Sequence, residues 1–192
     1  MTTTRPAPAI SKTDGAILGM LTVEPMSGYD MKRFCEQSLA AFWHESYGNL
    51  YPRLGRLADA GLIRGVRTQR TRAPDAVVYS LTPRGRRVFA RWLRQPPEAE
   101  QVRSEFVLKF FFGAHVPLDV TEGRMRDYER EQRAVAARYR AIEALIGGEL
   151  GRRPDAPYWL MSLRRGQLLT RARLRWCREC RDTLAAIRHQ KG

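Results

Sequence analysis

SYGNLYPRLGRLADAGLI, Ser46 to Ile63, reads as a short helix that carries two faces. Leu50, Leu54 and Leu57 recur at four- and three-residue spacing and place an apolar stripe along one side of a helix, while Asn49, Tyr51, Arg53 and Arg56 point elsewhere. The outward face is therefore polar and basic, with one aromatic. Gly61 supplies a C-terminal stop, and Pro52 is tolerated near the first turn, where a backbone N–H has no intrahelical partner to lose. A helix of about four turns, Ser46 to Ala60, fits the major groove of DNA.

The flanking segments supply the context. Upstream, Ile17, Leu18 and Leu21 make an apolar patch and Glu24 to Gly28 reads as a turn. Ser27 with Asp30 approximates a capping box, which predicts a helix from Tyr29 to about Leu39, closed by Phe42 and Trp43. Downstream, Leu62 to Gln69 and Val77 to Leu81 are rich in strand-forming residues and flank a turn-forming Arg72-Ala73-Pro74-Asp75 stretch. Thr82-Pro83 then opens a helix with Val88, Phe89, Trp92 and Leu93 on its apolar side. Tyr79, Leu81 and Trp92 are expected in the core. Helix, helix, helix, strand, strand, helix is the order of a winged helix-turn-helix.

The blocks GYDMKRF, NLYPRLGRLADAGLI and VYSLTPRGRRVF, spread over residues 12 to 95, together resemble the DNA-binding domain of PadR-type bacterial transcriptional regulators. The resemblance implies sequence-specific binding to operator DNA. In layout the longer C-terminal half is similar to the larger PadR subgroup, where that half mediates dimerisation. Tyr51 falls in the most characteristic block of the family, and Arg53 at a variable place within it.

Composition points the same way independently. A net charge of +14 and a pI near 10.6 suit a polyanionic partner. Residues 1–95 carry net +8 and residues 96–192 net +6, although an Arg-rich composition also follows from a GC-rich genome. The N-terminus lacks the apolar core of a signal peptide and no apolar run reaches the roughly 18 to 20 residues that span a bilayer, so a cytoplasmic protein without membrane contact is expected. Residues 1–11, rich in Thr, Pro and Ala, read as a disordered arm, residues 12–95 as the winged helix, and residues 96–103, with a Pro pair and acids, as a linker.

Residues 104–192 read as an all-helical dimerisation domain. Ser104 caps a helix whose Phe106, Val107, Leu108, Phe110, Phe111 and Phe112 cover most of its circumference, which predicts burial on nearly all sides until Pro117 breaks it. In the next helix Met125, Tyr128, Gln132, Val135, Tyr139, Ile142 and Ile146 step by three and four, the spacing of a coiled-coil seam, with Glu129, Arg130, Arg133 and Arg140 outside it. Gly147, Gly148 and Gly151 end it, and from Ala156 another helix carries Trp159, Leu160, Leu163, Leu169, Leu174, Trp176, Leu184 and Ile187. Two such helices need a partner for their apolar faces. A second subunit is the expectation, with Met125, Tyr128, Val135, Tyr139, Ile142, Leu163, Leu174 and Leu184 at the interface; an intramolecular bundle with the Phe-rich helix is the alternative.

Catalysis is not expected. His44, His115 and His189 lie in three segments without metalloprotease or triad spacing, and the glycines at 147–151 lack a Walker lysine and a preceding strand. Cys177 and Cys180 form a CxxC well inside a helix, where no terminal dipole lowers a thiol pKa, and a zinc site would need two further ligands. Both are read as structural, Cys35 as a small core residue, and no cofactor or metal is expected.

By residue, Asn49 and Arg53 are expected to read base edges, Arg53 through a guanine O6/N7 fork, with Tyr51 on phosphate or base and Arg56 also at the DNA. Arg64, Arg67, Arg70 and Arg72 of the wing suit phosphate or minor-groove contact, and Lys32 and Arg33 would clamp the backbone. The resemblance further implies release by a small aromatic effector such as a phenolic acid. Tyr128, Tyr139, Tyr158, Trp159 and Trp176 offer aromatic surface for it, and Arg164, Arg165 and Arg173 a partner for its carboxylate. The leading reading is a homodimeric regulator, a repressor on a palindromic operator; the alternative is a winged-helix protein-interaction module.

Overall fold

The computed structural model describes residues 10–36, 50–70 and 73–191. Expectations for the first nine residues of the arm, for Phe42 and Trp43, for the opening turn of the Ser46 to Ala60 helix with Asn49, and for Arg72 lie outside these. The chain divides into two compact units, Met1–Ala99 and Glu100–Gly192, and is mainly helical with one small sheet.

The first unit runs α1 (Lys12–Val23), β1 (Met26–Ser27), α2 (Gly28–Phe34), α3 (Leu50–Asp59), β2 (Ile63–Arg70), β3 (Ala73–Leu81) and α4 (Pro83–Leu93). Two capping boxes of the same S-x-x-D form start α1 and α2. Ser11 accepts from the Asp14 amide at 3.1 Å and Ser27 from the Asp30 amide at 3.2 Å, and each aspartate reaches back to its cap residue's N–H. Thr82 caps α4 through the Gly85 amide at 3.0 Å, with Pro83 at the first helical position. Gly61, at φ +66°, ends α3 in a Schellman turn: its amide bonds the Ala58 carbonyl at 2.8 Å and the Leu62 amide the Leu57 carbonyl at 2.9 Å.

The sequence pattern places a turn at Glu24 to Gly28, yet Met26 and Ser27 pair antiparallel with Tyr79 and Val78, so the sheet has three strands in the order β1-β3-β2. Ala73, Pro74 and Asp75, expected in the turn, belong to β3, with a register irregularity between Thr68 and Arg70. The core gathers Ile17, Leu18 and Leu21 of α1, Met31 of α2, the Leu50, Leu54 and Leu57 stripe, Leu62, Ile63 and Val88, all buried. Tyr79, Leu81 and Phe89 pack against it. Trp92 closes α4 over α1, where a Cβ on Gly15 would lie 2.8 Å from its ring.

The second unit comprises α5 (Glu105–Phe111), a 3-10 turn (Gly113–His115), α6 (Leu118–Gly147), a second 3-10 turn (Glu149–Arg152) and α7 (Ala156–Lys191). The two long helices pair antiparallel. Tyr139 of α6 seats against Gly166 of α7, Gln132 meets Arg173 at 3.5 Å, and Arg188 forks onto Glu122 at 2.7 and 3.0 Å.

Two expectations change here. The Phe-rich helix α5 is not enclosed: Phe106 and Phe110 turn inward, but Val107, Leu108, Phe111 and Phe112 are exposed, Phe111 by 80%. The seam of α6 is filled largely within the chain, because Met125 and Leu184 form a buried cluster with Cys177 that Tyr128 packs against, and Tyr139 and Leu163 are buried too. Val135, Ile142 and Leu174 are half-buried. Glu129, read as lying outside the seam, is buried with its side chain 8% exposed, held by Arg133 at 2.6 Å and Arg181 at 3.4 Å. The hydrogen bonds from Arg133 keep its carboxyl below the ordinary glutamate range.

Candidate nucleic-acid interface

Ten residues of α3 rise about 15 Å and fall mainly into two environments. Leu50, Leu54 and Leu57 face the core; Tyr51, Pro52, Gly55 and Arg56 face solvent, Tyr51 with 66% of its surface exposed. Among the described residues nothing lies within 4 Å of where a Cβ on Gly55 would be. The Tyr51 ring is nevertheless placed: a Cβ on Gly28, the first residue of α2, would fall 2.8 Å from its Cε1. On α2, Lys32 and Arg33 are exposed, Lys32 at 3.9 Å from Glu36, a separation that ties it weakly.

Arg53 behaves differently. Read from the sequence as an outward base reader, it is bent onto α1, where its Nη1 donates to Asp14 Oδ1 at 3.0 Å and to Ser11 Oγ at 2.8 Å. The physical reason lies in the helical wheel, since a residue three after Leu50 and four before Leu57 stands at the border of the apolar stripe. Burial penalises the Asp14 carboxylate, but the Ser11 hydrogen bonds and the Arg53 charge outweigh it and hold its pKa below the usual aspartate range.

In the wing, Arg64 and Arg67 are exposed and lie opposite Ser80 and Val77 on β3. An odd separation along a strand sends them to opposite faces of the hairpin, so they do not form one cluster. Arg70 closes β2 opposite Ala73. Sequence reading overlooked Arg84, Arg87, Arg91 and Arg94, exposed along one side of α4 with no acidic residue between 83 and 94. Their three- and four-residue spacing was the signal that could have found them.

In the second unit Trp176 stands in an aromatic cluster: its ring meets Phe106 and Tyr128 edge-on at 6.0 Å and Phe110 at 5.5 Å, while Phe106 and Tyr128 stack at 4.2 Å. An open groove along α7 is lined by Leu168, Arg171, Ala172, Arg175, Trp176 and Glu179. Trp159 lies apart from it under the Arg153 guanidinium, 5.8 Å from ring centre to Cζ. Cys177 is fully buried, and desolvation followed by the nearby Glu129 charge pushes its thiol up, which disfavours a reactive thiolate; burial does the same to Cys180. Among the described residues no three His, Cys, Asp or Glu side chains group as metal ligands, and no helix is long and apolar enough to cross a membrane.

Comparison with known proteins follows this division of the chain. Residues 17–91 match the transcriptional regulator PadR-like family and residues 102–185 the virulence activator alpha C-terminal family. The negative transcriptional regulator PadR of Bacillus subtilis is 36% identical over 98 residues, 50% of this chain and 54% of its own length, so the chain spans about half the length of this curated relative. The crystal structure of Bacillus subtilis PadR in complex with operator DNA matches in fold with a TM-score of 0.75 at 24% identity, covering 91% of this chain and 99% of that one. Its structure with p-coumaric acid gives 0.66 at 26% identity, covering 90% and 98%. These family members are transcriptional regulators, not enzymes. The winged helix and the helical C-terminal unit are thus each matched in turn, and together the two matches support a PadR-family transcriptional regulator with a C-terminal domain.

Proposed function

We propose that this chain represses transcription as a homodimer on a two-fold symmetric operator, with α3 in the major groove and the wing on the flanking backbone. The observation that carries the reading is the partition of α3, Leu50, Leu54 and Leu57 inward against Tyr51 and Arg56 outward, amid exposed Lys32, Arg33, Arg64 and Arg67. Tyr51 and Arg56 contact base edges or phosphates, while the wing arginines, together with the α4 stripe, add sequence-independent attraction. Asn49, Arg70 and Arg72 keep the roles expected from their places in the sequence. The operator complex of the Bacillus subtilis relative, described there as a negative regulator, supports this reading.

A second copy is the partner proposed for the apolar surface that the second unit leaves open, Val107, Leu108, Phe111 and Phe112 on α5 with Leu160, Met161, Leu168 and Leu169 on α7. Large apolar side chains left this exposed on two helices of one unit favour an interface. Footprinting the full-length protein on DNA flanking its own gene tests the reading. Two-fold related half-sites about one helical turn or a multiple apart are expected; an isolated half-site, or no protection, contradicts it.

The effector proposal extends to a small aromatic carboxylate held near Trp176, where Arg171 and Arg175 flank an apolar groove. The p-coumaric acid complex of the relative supports the ligand class. By linkage such a ligand binds the DNA-free form more tightly, and operator lowers its affinity by the same factor. Tryptophan quenching by p-coumaric acid with operator affinity unchanged would contradict an effector role.

A further inference from the structure

Arg53 leaves α3 at the edge of its apolar stripe and turns toward α1 instead of into solvent. Its Nη1 contacts use Asp14 Oδ1 and Ser11 Oγ, while Asp14 Oδ2 accepts from the Ser11 N–H at 3.0 Å and hydroxyl at 2.8 Å. Both carboxylate oxygens are thus occupied, with the Arg53 and Asp14 side chains 22% and 19% exposed. To fork onto a guanine through Nη1 the guanidinium would have to abandon a carboxylate whose side chain is 19% exposed, which costs more than breaking a fully exposed pair. The contact joins residues 39 apart in sequence, so it constrains how one helix sits on another and not merely a local turn. On the other flank of α3 the Tyr51 ring rests against Gly28 of α2.

We propose that Arg53 is a positioning residue: the Arg53–Asp14–Ser11 clasp sets the rotation and depth of α3 on α1, so that Tyr51 and Arg56 meet the base edges while Arg53 does not. The proposal deepens, and rests on, the reading of α3 as the DNA-reading helix.

The test compares full-length wild type with Arg53→Ala, Arg53→Lys, Asp14→Asn and the Arg53→Ala/Asp14→Asn double variant. Affinity is measured for the operator and a scrambled duplex, base preference by selection from a randomised operator, and hydrogen exchange over residues 50–59. Arg53→Ala and Asp14→Asn should each lower operator affinity by about tenfold and narrow the gap to scrambled DNA. The double variant should be no worse than either single, because all three remove one contact. Arg53→Lys should retain most of the affinity, since an ammonium still pairs with Asp14 but cannot form the guanine fork. The base preference should keep its shape, and exchange over 50–59 should rise equally in both single variants. Loss of preference at one base pair in Arg53→Ala, with Asp14→Asn unchanged or tighter, would make Arg53 a direct reader and overturn the proposal. An unchanged operator-to-scrambled ratio in Arg53→Ala would reduce the clasp to fold support and overturn it equally. Should wild type fail to distinguish the two duplexes, the reading of α3 itself fails; the clasp is then judged on exchange, with equal deprotection of 50–59 sustaining it and unchanged protection overturning it.

Discussion

Gly28 lacks a side chain where the Tyr51 ring takes the space one would fill. Because Tyr51 is largely exposed, its ring can swing away, so Gly28→Ala should cost less than about 1 kcal/mol of stability. The displaced ring should still weaken operator binding several-fold, a split that thermal denaturation and a binding titration on one sample would reveal. Asp14 gives a pH signature. Its folded pKa is depressed, so its stabilising contribution is complete above the ordinary aspartate pKa and is lost as pH falls through the folded value. The stability difference between wild type and Asp14→Asn should therefore hold at neutral pH and shrink below about pH 4; a difference that grows on acidification would reverse the assignment. Tyr51 and Arg56 could be placed outward from spacing alone, since each stands well off the leucine stripe. Arg53 stands at the border of that stripe, a place the spacing does show, but the carboxylate it bends onto lies 39 residues away and only tertiary structure brings it there. Glu129 hid in the same manner: a carboxylate beside a seam reads as solvated until arginines from its own helix and from α7 enclose it.

At the scale of elements, the starts of α1, α2, α4 and α5 rest on side-chain caps and the end of α3 on a Schellman turn. Such signals are short in sequence, which is why the order of helices and the two long wing strands were legible. β1 was not, because two residues cannot display an alternation. Close approach makes two glycines decisive. A Cβ on Gly85 would collide with the Leu62 carbonyl, backbone against backbone, so Gly85→Ala should destabilise the first unit by about 1 to 3 kcal/mol in chemical denaturation. Gly166 likewise receives the Tyr139 ring and hydroxyl between α6 and α7, where a side chain would not fit. Seam spacing in α6 identified the residues that pack, but periodicity is blind to which helix packs on them. The chain's own α7 takes up Met125 and Tyr139, and the open apolar surface moves to α5 and the other side of α7.

At the scale of the whole molecule, the proposed dimer puts assembly on that open surface and folding on the buried seam. Phe111 is 80% exposed, so Phe111→Asp should leave the helical signal intact and shift sedimentation from dimer toward monomer, whereas Met125→Asp, at a fully buried position, should unfold the second unit. A Phe111→Asp protein that stays dimeric would place the interface elsewhere. Losing the dimer should also weaken operator binding far more than any single contact, because tethered modules share an effective concentration. The central claim, sequence-specific recognition by the outer face of α3, is tested most directly by measuring wild type and Tyr51→Ala on the footprinted operator and on a scrambled duplex of equal length across a salt series. Wild type should prefer the operator at least a thousandfold, with affinity for both falling steeply as salt rises, and Tyr51→Ala should lose about 1 to 3 kcal/mol on the operator with little change on the scrambled duplex. Equal affinity of wild type for the two duplexes, or an equal loss on both in Tyr51→Ala, would contradict the account.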